Sequence, residues 1–174
     1  MFKLSHKTEN YASHQPILAA YVNKVRNGKI IEYGAGDYST GLLHEICQRN
    51  NNTLITIESD EAWLAKVKAQ YEGFHWHKYV YVKEYAELLD IEHDFSCDVA
   101  FIDSATWGSR LFCLQETLRT KFYAIIIHDC DFLKGHLKYT ACIKPELRTV
   151  HNTLWPPTMV LGYPTDINYE LEEV

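Results

Sequence analysis

The alternation of short apolar runs with helix-patterned stretches most narrowly limits the folds open to this chain. Lys29-Ile30-Ile31-Glu32-Tyr33-Gly34 is an apolar run ending on glycine, and Leu42, Leu43, Ile46 and Cys47 then recur at helical spacing until Arg49-Asn50-Asn51-Asn52 stops the pattern. Thr53–Glu58 is the next β-rich run. Asp60 is placed to cap a helix whose stripe is Trp63, Leu64, Val67 and Tyr71, with Gly73 where a C-cap belongs. A third strand is expected over His75–Val82, a short helix over Glu84–Leu89, and a fourth strand over Asp98–Asp103. Leu111, Leu114 and Leu118 mark another helix, and Phe122–His128 a fifth strand. An amphipathic helix over Gln15–Val25 precedes the series, and strands over Glu146–His151 and Thr158–Gly162 close it. Runs apolar on both faces and separated by helices require a parallel sheet covered on both sides. The expected fold is therefore α/β: a doubly wound, mostly parallel seven-stranded sheet with helices on both faces.

Composition narrows the function classes. The 174 residues suit one domain, and 17 Lys+Arg against 23 Asp+Glu leave a net charge of -6. That balance argues against a broad nucleic-acid surface, which needs clustered basic residues. The longest apolar runs are too short to cross a bilayer, and no signal-peptide pattern opens the chain, so the expectation is a cytoplasmic protein. The five cysteines (Cys47, Cys97, Cys113, Cys130 and Cys142) show no CxxC spacing and read as reduced thiols.

In open α/β sheets the ligand sits beyond the carboxyl ends of the strands. The first such turn here is Glu32-Tyr33-Gly34-Ala35-Gly36-Asp37-Tyr38-Ser39-Thr40. Gly34 and Gly36 allow close backbone approach, and Glu58 ends the second strand where a carboxylate can accept both hydroxyls of a ribose. A dinucleotide would need glycine at Ser39, and Asp37 would face its pyrophosphate at a cost of up to several kcal/mol. S-adenosylmethionine carries no phosphate and tolerates acidic neighbours. Taken singly, the glycines could only shape a turn and Glu58 could be a solvated strand end. Together, in order on successive elements, they make one site.

On these residues the chain resembles the class I S-adenosylmethionine-dependent methyltransferases, which have a Rossmann-like fold. Glu32-x-Gly34-x-Gly36 is similar to that family's first motif, Glu58 to its ribose acid, and Asp98–Asp103 to its fourth-strand motif. The resemblance implies that Gly34 and Gly36 contact the methionine portion, with Glu32 supporting the turn. It places Ser39 and Thr40 near the methionine carboxylate, Glu58 on the ribose, Ser59 and Asp60 near the adenine, and Asp103 at the cofactor's edge. It implies a methyl transferase for an oxygen or nitrogen of a small-molecule acceptor. The alternatives are an NAD-dependent oxidoreductase on the same fold and a non-catalytic module that binds S-adenosylmethionine.

Asp103, His128, Asp129 and Asp131 emerge at one sheet edge, where an acceptor would be aligned and deprotonated. Asp103, His128 and Asp129 are the catalytic candidates. Catechol-type O-methyltransferases hold magnesium with an aspartate after the fourth strand and an Asp-Asn pair after the fifth. Asp103 and Asp129 match that pattern, but Cys130 replaces the asparagine, and a thiol is a poor ligand for a hard cation. No metal ligand is therefore assigned, and magnesium stays the lesser alternative beside S-adenosylmethionine as the cofactor. His75-Trp76-His77 has a His-x-His form but reads better as two histidines on a partly exposed strand. Arg110 reads as a helix-starting residue packed on Trp107, or else as a partner for an acidic substrate, and Tyr11, Trp107, Trp155 and Tyr163 as packing or a substrate wall.

Residues 1–174 are read as one methyltransferase-like domain, with a helical lid (1–27), a core (28–163) and a tail (164–174). The acceptor half must then come from the lid, from the turn after the fifth strand, or from a second subunit of a homodimer.

Overall fold

The computed structural model describes residues 12–130, 145–151 and 156–162. The apolar runs form β1 (Lys29–Tyr33), β2 (Thr53–Glu58), β3 (His77–Tyr81), β4 (Val99–Ile102), β5 (Ala124–Ile127), β6 (Arg148–His151) and β7 (Thr158–Gly162). Between and before them lie α1 (Gln15–Val22), α2 (Thr40–Asn50), α3 (Glu61–Gln70), α4 (Glu87–Asp90) and α5 (Trp107–Leu118). The sheet order is β3-β2-β1-β4-β5-β7-β6. β1 to β5 are parallel, with Ile31 opposite both Ile55 and Ala100, whereas β7 runs antiparallel to β5 and to β6. This is the mostly parallel seven-stranded sheet expected from the pattern.

Strand alternation sorts the core into two layers. Ile31, Tyr33, Ala100, Ile102, Ile125 and Ile127 pack with Leu88, Cys113 and Leu114 on one face. Ile30, Leu54, Val99, Phe101 and Ile126 pack with Leu18, Tyr21, Leu43 and Ile46 from α1 and α2 on the other. Neighbouring residues on one strand thus serve opposite layers, which is why these runs show no polar alternation.

Apart from one- or two-residue trims of β1, β4 and β5, four boundaries differ from expectation. The α-helical part of α1 stops at Val22, because Lys24 and Val25 bond back only three residues, to the carbonyls of Tyr21 and Val22. β3 begins at His77, so His75 falls in an exposed turn and the His-x-His pair does not share a strand face. The helix expected at 84–89 is the single turn α4, and Glu146 belongs to a 3₁₀ turn, Pro145–Leu147, that precedes β6. Asp60 caps α3 as expected, accepting from the Trp63 N–H at 2.9 Å. Asp131, Tyr11, Trp155, Tyr163, Cys142 and the tail lie outside the described residues.

The chain leaves β1 toward β2 on one side, and β4 lies on the other, so the crevice opens beyond the ends of β1 and β4. Gly34 sits there at φ +95°, where an added Cβ would stand 2.6 Å from the Asp103 carbonyl oxygen. Gly73 has a similar φ of +90° with nothing within 4 Å. Gly73→Ala should therefore cost only backbone strain, about 1 kcal/mol. Gly34→Ala should cost at least about 2 kcal/mol more, since backbone must move to admit the methyl group. Urea unfolding of the two variants measures the difference, and equal losses would show that the close approach of the two strand ends is not maintained.

Candidate active site

The first turn is organised by a buried carboxylate. Glu32 is fully buried on β1 and accepts from Ser39 Oγ (2.7 Å), Thr40 Oγ1 (3.0 Å) and Thr56 Oγ1 (2.7 Å). Thr40 Oγ1 also accepts from the Gly36 N–H at 3.1 Å, which closes the turn onto α2. Burial pushes the Glu32 carboxyl up to about 7, against the opposing pull of these hydroxyls. The Thr56 proton goes to Glu32, so Thr56 accepts from His77 Nε2–H (3.0 Å), leaving the one lone pair of His77 Nδ1 beside the Tyr79 hydroxyl (2.8 Å) and His44 Nδ1 (2.9 Å). His77 is thus buried and bonded at both ring nitrogens rather than exposed on the strand, and burial, with His44 beside it, lowers it to about 3.

Glu58 ties the second strand to the same turn. Its Oε2 accepts from the Ala35 N–H at 2.8 Å, and Oε1 accepts from the Ser59 and Asp60 N–H groups at 2.6 and 2.9 Å. Trp63 Nε1–H donates to the Ala35 carbonyl at 2.9 Å, so α3 also braces the glycine turn. Gly34, Gly36, Glu58, Ser59 and Asp60 therefore form one connected wall.

The opposite wall is charged. Arg110 on α5 is buried and places Nη2 2.7 Å from Asp103 Oδ1 and Nη1 3.3 Å from Asp129 Oδ2. Its remaining donors reach the Ser104 carbonyl (2.7 Å) and the His128 carbonyl (2.9 Å), so the guanidinium fastens the loops after β4 and β5 together. It also lies over the Trp107 ring at 4.9 Å, the packing expected from the sequence. The pairing with both acids is an additional role, and it engages one oxygen of each. Asp129 adopts φ +52°, a left-handed conformation that aspartate tolerates better than most residues.

His128 is buried, with Nδ1 3.2 Å from Asp103 Oδ2 and Nε2 3.0 Å from Ser13 Oγ. Ser13 Oγ also lies 2.7 Å from the Pro156 carbonyl, so its one proton can go to that carbonyl or to His128 Nε2. Beside it, His14 caps α1 with its ring 4.5 Å from that of His128 and 4.8 Å from that of Phe101. Burial, then the His128 ring, lowers His14 to about 3. The Tyr38 carbonyl faces His14 but accepts from Gln15 Nε2 at 2.8 Å, and neither His14 nitrogen meets a partner with hydrogen-bond geometry among the described residues.

Between the walls lies a cleft of about 310 Å³ lined by His14, Gly36, Asp37, Tyr38, Ser39, Asp103, Arg110, His128 and Asp129. Asp103, His128 and Asp129 thus come together as the sequence grouped them, with Gly36 and Ser39 facing them. Glu58, Ser59 and Asp60 stand apart from this cleft, behind the glycine turn. His14, Ser13 and the double pairing of Arg110 escaped the sequence reading. The Pro16 helix start was the available signal for the first two, since it fixes His14 as the cap of a helix that packs on the sheet. Cys130 is buried, and burial pushes the Cys47 and Cys97 thiols up to about 12, which removes the latter two as nucleophiles.

Sheet order, antiparallel edge and crevice together define the fold of the class I S-adenosylmethionine-dependent methyltransferases. Solved structures bear this out. The O-methyltransferase of Bacillus cereus bound to SAH superposes at a TM-score of 0.61 with 17% identity, over 91% of this chain and 84% of that one. The O-methyltransferase TomG of Streptomyces achromogenes, involved in tomaymycin synthesis and bound to SAM, gives 0.61 with 15% identity, over 87% and 80%. An rRNA methylase from Streptococcus thermophilus gives 0.58 with 14% identity, over 91% and 99%. At these identities the likeness is one of fold. No protein-family model matches the chain, and no curated protein matches it in sequence.

The magnesium arrangement of catechol-type enzymes does not fit this donor set. Arg110 occupies one oxygen of both aspartates, and the third position is a buried thiol.

Glu32 has a pH consequence. Its folded pKa of about 7 lies above the usual carboxylate value, so its contribution to stability is complete below pH 4.5 and is lost as pH rises through 7. Glu32→Gln removes this dependence. Relative to wild type, the variant should gain up to roughly 3 kcal/mol between pH 4.5 and pH 8 in urea unfolding. A constant difference across that range would show that the carboxyl is not shifted.

Proposed function

We propose that the protein, read as one domain, is an S-adenosylmethionine-dependent methyltransferase acting on an oxygen or nitrogen of a small-molecule acceptor. The observation that carries this reading is the single cleft that sets the Gly36–Ser39 turn opposite Asp103, Arg110, His128 and Asp129. The residues present suit the cofactor: the turn is bare backbone at Gly36, and the exposed Asp37 carboxylate, 3.8 Å from Lys66, offers a partner to an amino group but not to a phosphate. When bound, S-adenosylmethionine supplies a methyl group already activated on its sulfonium.

In this reading Gly34 and Gly36 admit the methionine portion against the backbone. Ser39 and Thr40 hold the start of α2, whose positive dipole end faces the methionine carboxylate, while their hydroxyls anchor to Glu32. Glu58 receives the ribose, with Ser59 and Asp60 on the adenine side. Asp129 is the base, because its Oδ1 is the oxygen left by Arg110, with only a distant approach to His128 Nε2 at 3.9 Å. Asp103 and His128 position the acceptor, and Arg110 holds both acids in place by pairing with one oxygen of each. The fold also serves an rRNA methylase, so it does not choose the acceptor. The net charge of -6 and a cleft of about 310 Å³ favour a small molecule.

S-adenosylhomocysteine at about 100 times its Kd should raise the Tm by about 5–10 °C, and NAD should not. Stabilisation by NAD alone would overturn the proposal in favour of an oxidoreductase. Asp129→Asn should leave the S-adenosylhomocysteine shift intact and lower methyl transfer to cell-extract acceptors about 10²- to 10⁴-fold. Full turnover in that variant would remove Asp129 as the base.

A further inference from the structure

The wall formed by the ends of β4 and β5 holds three groups with lone pairs to offer. His128 Nδ1 stands 3.2 Å from Asp103 Oδ2, and its Nε2 stands 3.0 Å from Ser13 Oγ, which also lies 2.7 Å from the Pro156 carbonyl and can serve either as donor or as acceptor. His14 is the group this network leaves out. It is 2% exposed, neither of its nitrogens has a hydrogen-bond partner among the described residues, and it packs edge-on against His128. One atom each from His14, Asp103 and His128 lie within 4.8 Å of one another. A cation that accepts a lone pair from each gives His14 the partner it lacks and draws on the carboxylate charge beside it.

We propose that His14, Asp103 and His128 form a binding site for a divalent transition-metal ion of the zinc, cobalt or iron(II) type. Two imidazoles and a carboxylate are the donor set that such borderline ions favour, with coordination positions left open toward the cleft. Two atoms bound at about 2.1 Å to one tetrahedral ion stand about 3.4 Å apart, close to the 3.2 Å between His128 Nδ1 and Asp103 Oδ2. The remaining closure is a rotation of His14, which no hydrogen bond restrains.

The outer shell is already built. Ser13 receives the second N–H of His128, and Arg110 binds the other oxygen of Asp103, so both donors are held in orientation. Arg110 offsets only one of the two carboxylates it touches, so Asp103 and Asp129 leave a net negative charge for the ion. Hard magnesium gains little from imidazole nitrogen and is the ion this set excludes. A hydrogen bond from His128 Nδ1–H to Asp103 fills the same gap but leaves His14 without a partner among the described residues. The site itself does not depend on the methyltransferase reading. Its consequence does: an acceptor hydroxyl on the open positions would lose its proton more readily.

The test is a titration of chelator-treated full-length protein with Co²⁺, followed by its visible absorption, with Zn²⁺ displacement and S-adenosylhomocysteine binding measured on the same samples. One equivalent of Co²⁺ should give the absorption of a low-coordinate nitrogen–oxygen site, displaced by Zn²⁺ and not by millimolar Mg²⁺. His14→Ala and His128→Ala should each weaken binding about 100-fold or more, and Ser13→Ala about 10- to 100-fold. Asp129→Asn should retain it. Retained S-adenosylhomocysteine binding and circular dichroism certify that the variants fold. Absence of the cobalt signal, its survival in both histidine variants, or its loss in Asp129→Asn with retention in His14→Ala would overturn the site. Cobalt binding without S-adenosylhomocysteine binding would uphold it and overturn the methyltransferase reading instead.

Discussion

A carboxylate in the middle of a sheet is tolerable only if its surroundings satisfy it, and Glu32 shows what that requirement builds. Three hydroxyls, two from the start of α2 and one from β2, converge on it. An unmet buried acceptor costs on the order of 1–3 kcal/mol and a buried charge considerably more, so these three segments cannot drift independently. The first strand, the turn after it and the second strand are thereby held in one arrangement. Glu58 completes it, since its two oxygens accept three backbone N–H groups around the same turn. The glycine turn is held rigid because two acids take their hydrogen bonds from the segments around it.

The same logic separates the two kinds of acid that the sequence grouped together. Glu32 takes three hydroxyls and Glu58 three backbone N–H groups, whereas Asp103 and Asp129 each keep an oxygen that Arg110 does not take. Glu32 is fully buried and Asp129 half-buried. Burial decides what each can do: the first is a strut whose proton affinity rises, and the second stays within reach of a molecule in the cleft. Strand-end position alone does not make this distinction. Of these four acids, Asp103 and Asp129 border the cleft directly.

Legibility followed the range of the interaction. The strands were readable because both faces of each are covered, so that Ile30 and Ile31 each had to be apolar for a different layer. Asp60 was readable because a cap acts over three residues. The boundary of β3 was not, because His77 is drawn inward by Thr56 and His44, 21 and 33 positions away, while His75 has no such partner in the strand. The His-x-His spacing therefore pointed to a shared face that tertiary bonding does not create. Arg110 likewise showed only its local contact with Trp107 in the sequence. Its second role spans the loops after β4 and β5, and nothing near position 110 encodes where Asp129 will fall.

His14 is the instructive omission, since its context was visible and its destination was not. Gln15-Pro16 announces a helix start, and the stripe Ile17, Leu18, Tyr21 and Val22 announces that the helix packs on a core. Those two facts oblige the cap residue to sit at the edge of the sheet. Which edge depends on the handed path of the chain, and α1 runs beside α2 on the Phe101 face, so its cap arrives beyond the end of β4. A histidine carried there finds no hydrogen-bond partner for either nitrogen among the described residues. Such a residue is a standing cost to the fold, of the order of a lost hydrogen bond or more. A neutral apolar cap of similar shape would stack on Phe101 without that cost. The imidazole is thus placed where it weakens the folded protein and faces a cleft lined with acids, which locates its use in what the cleft binds.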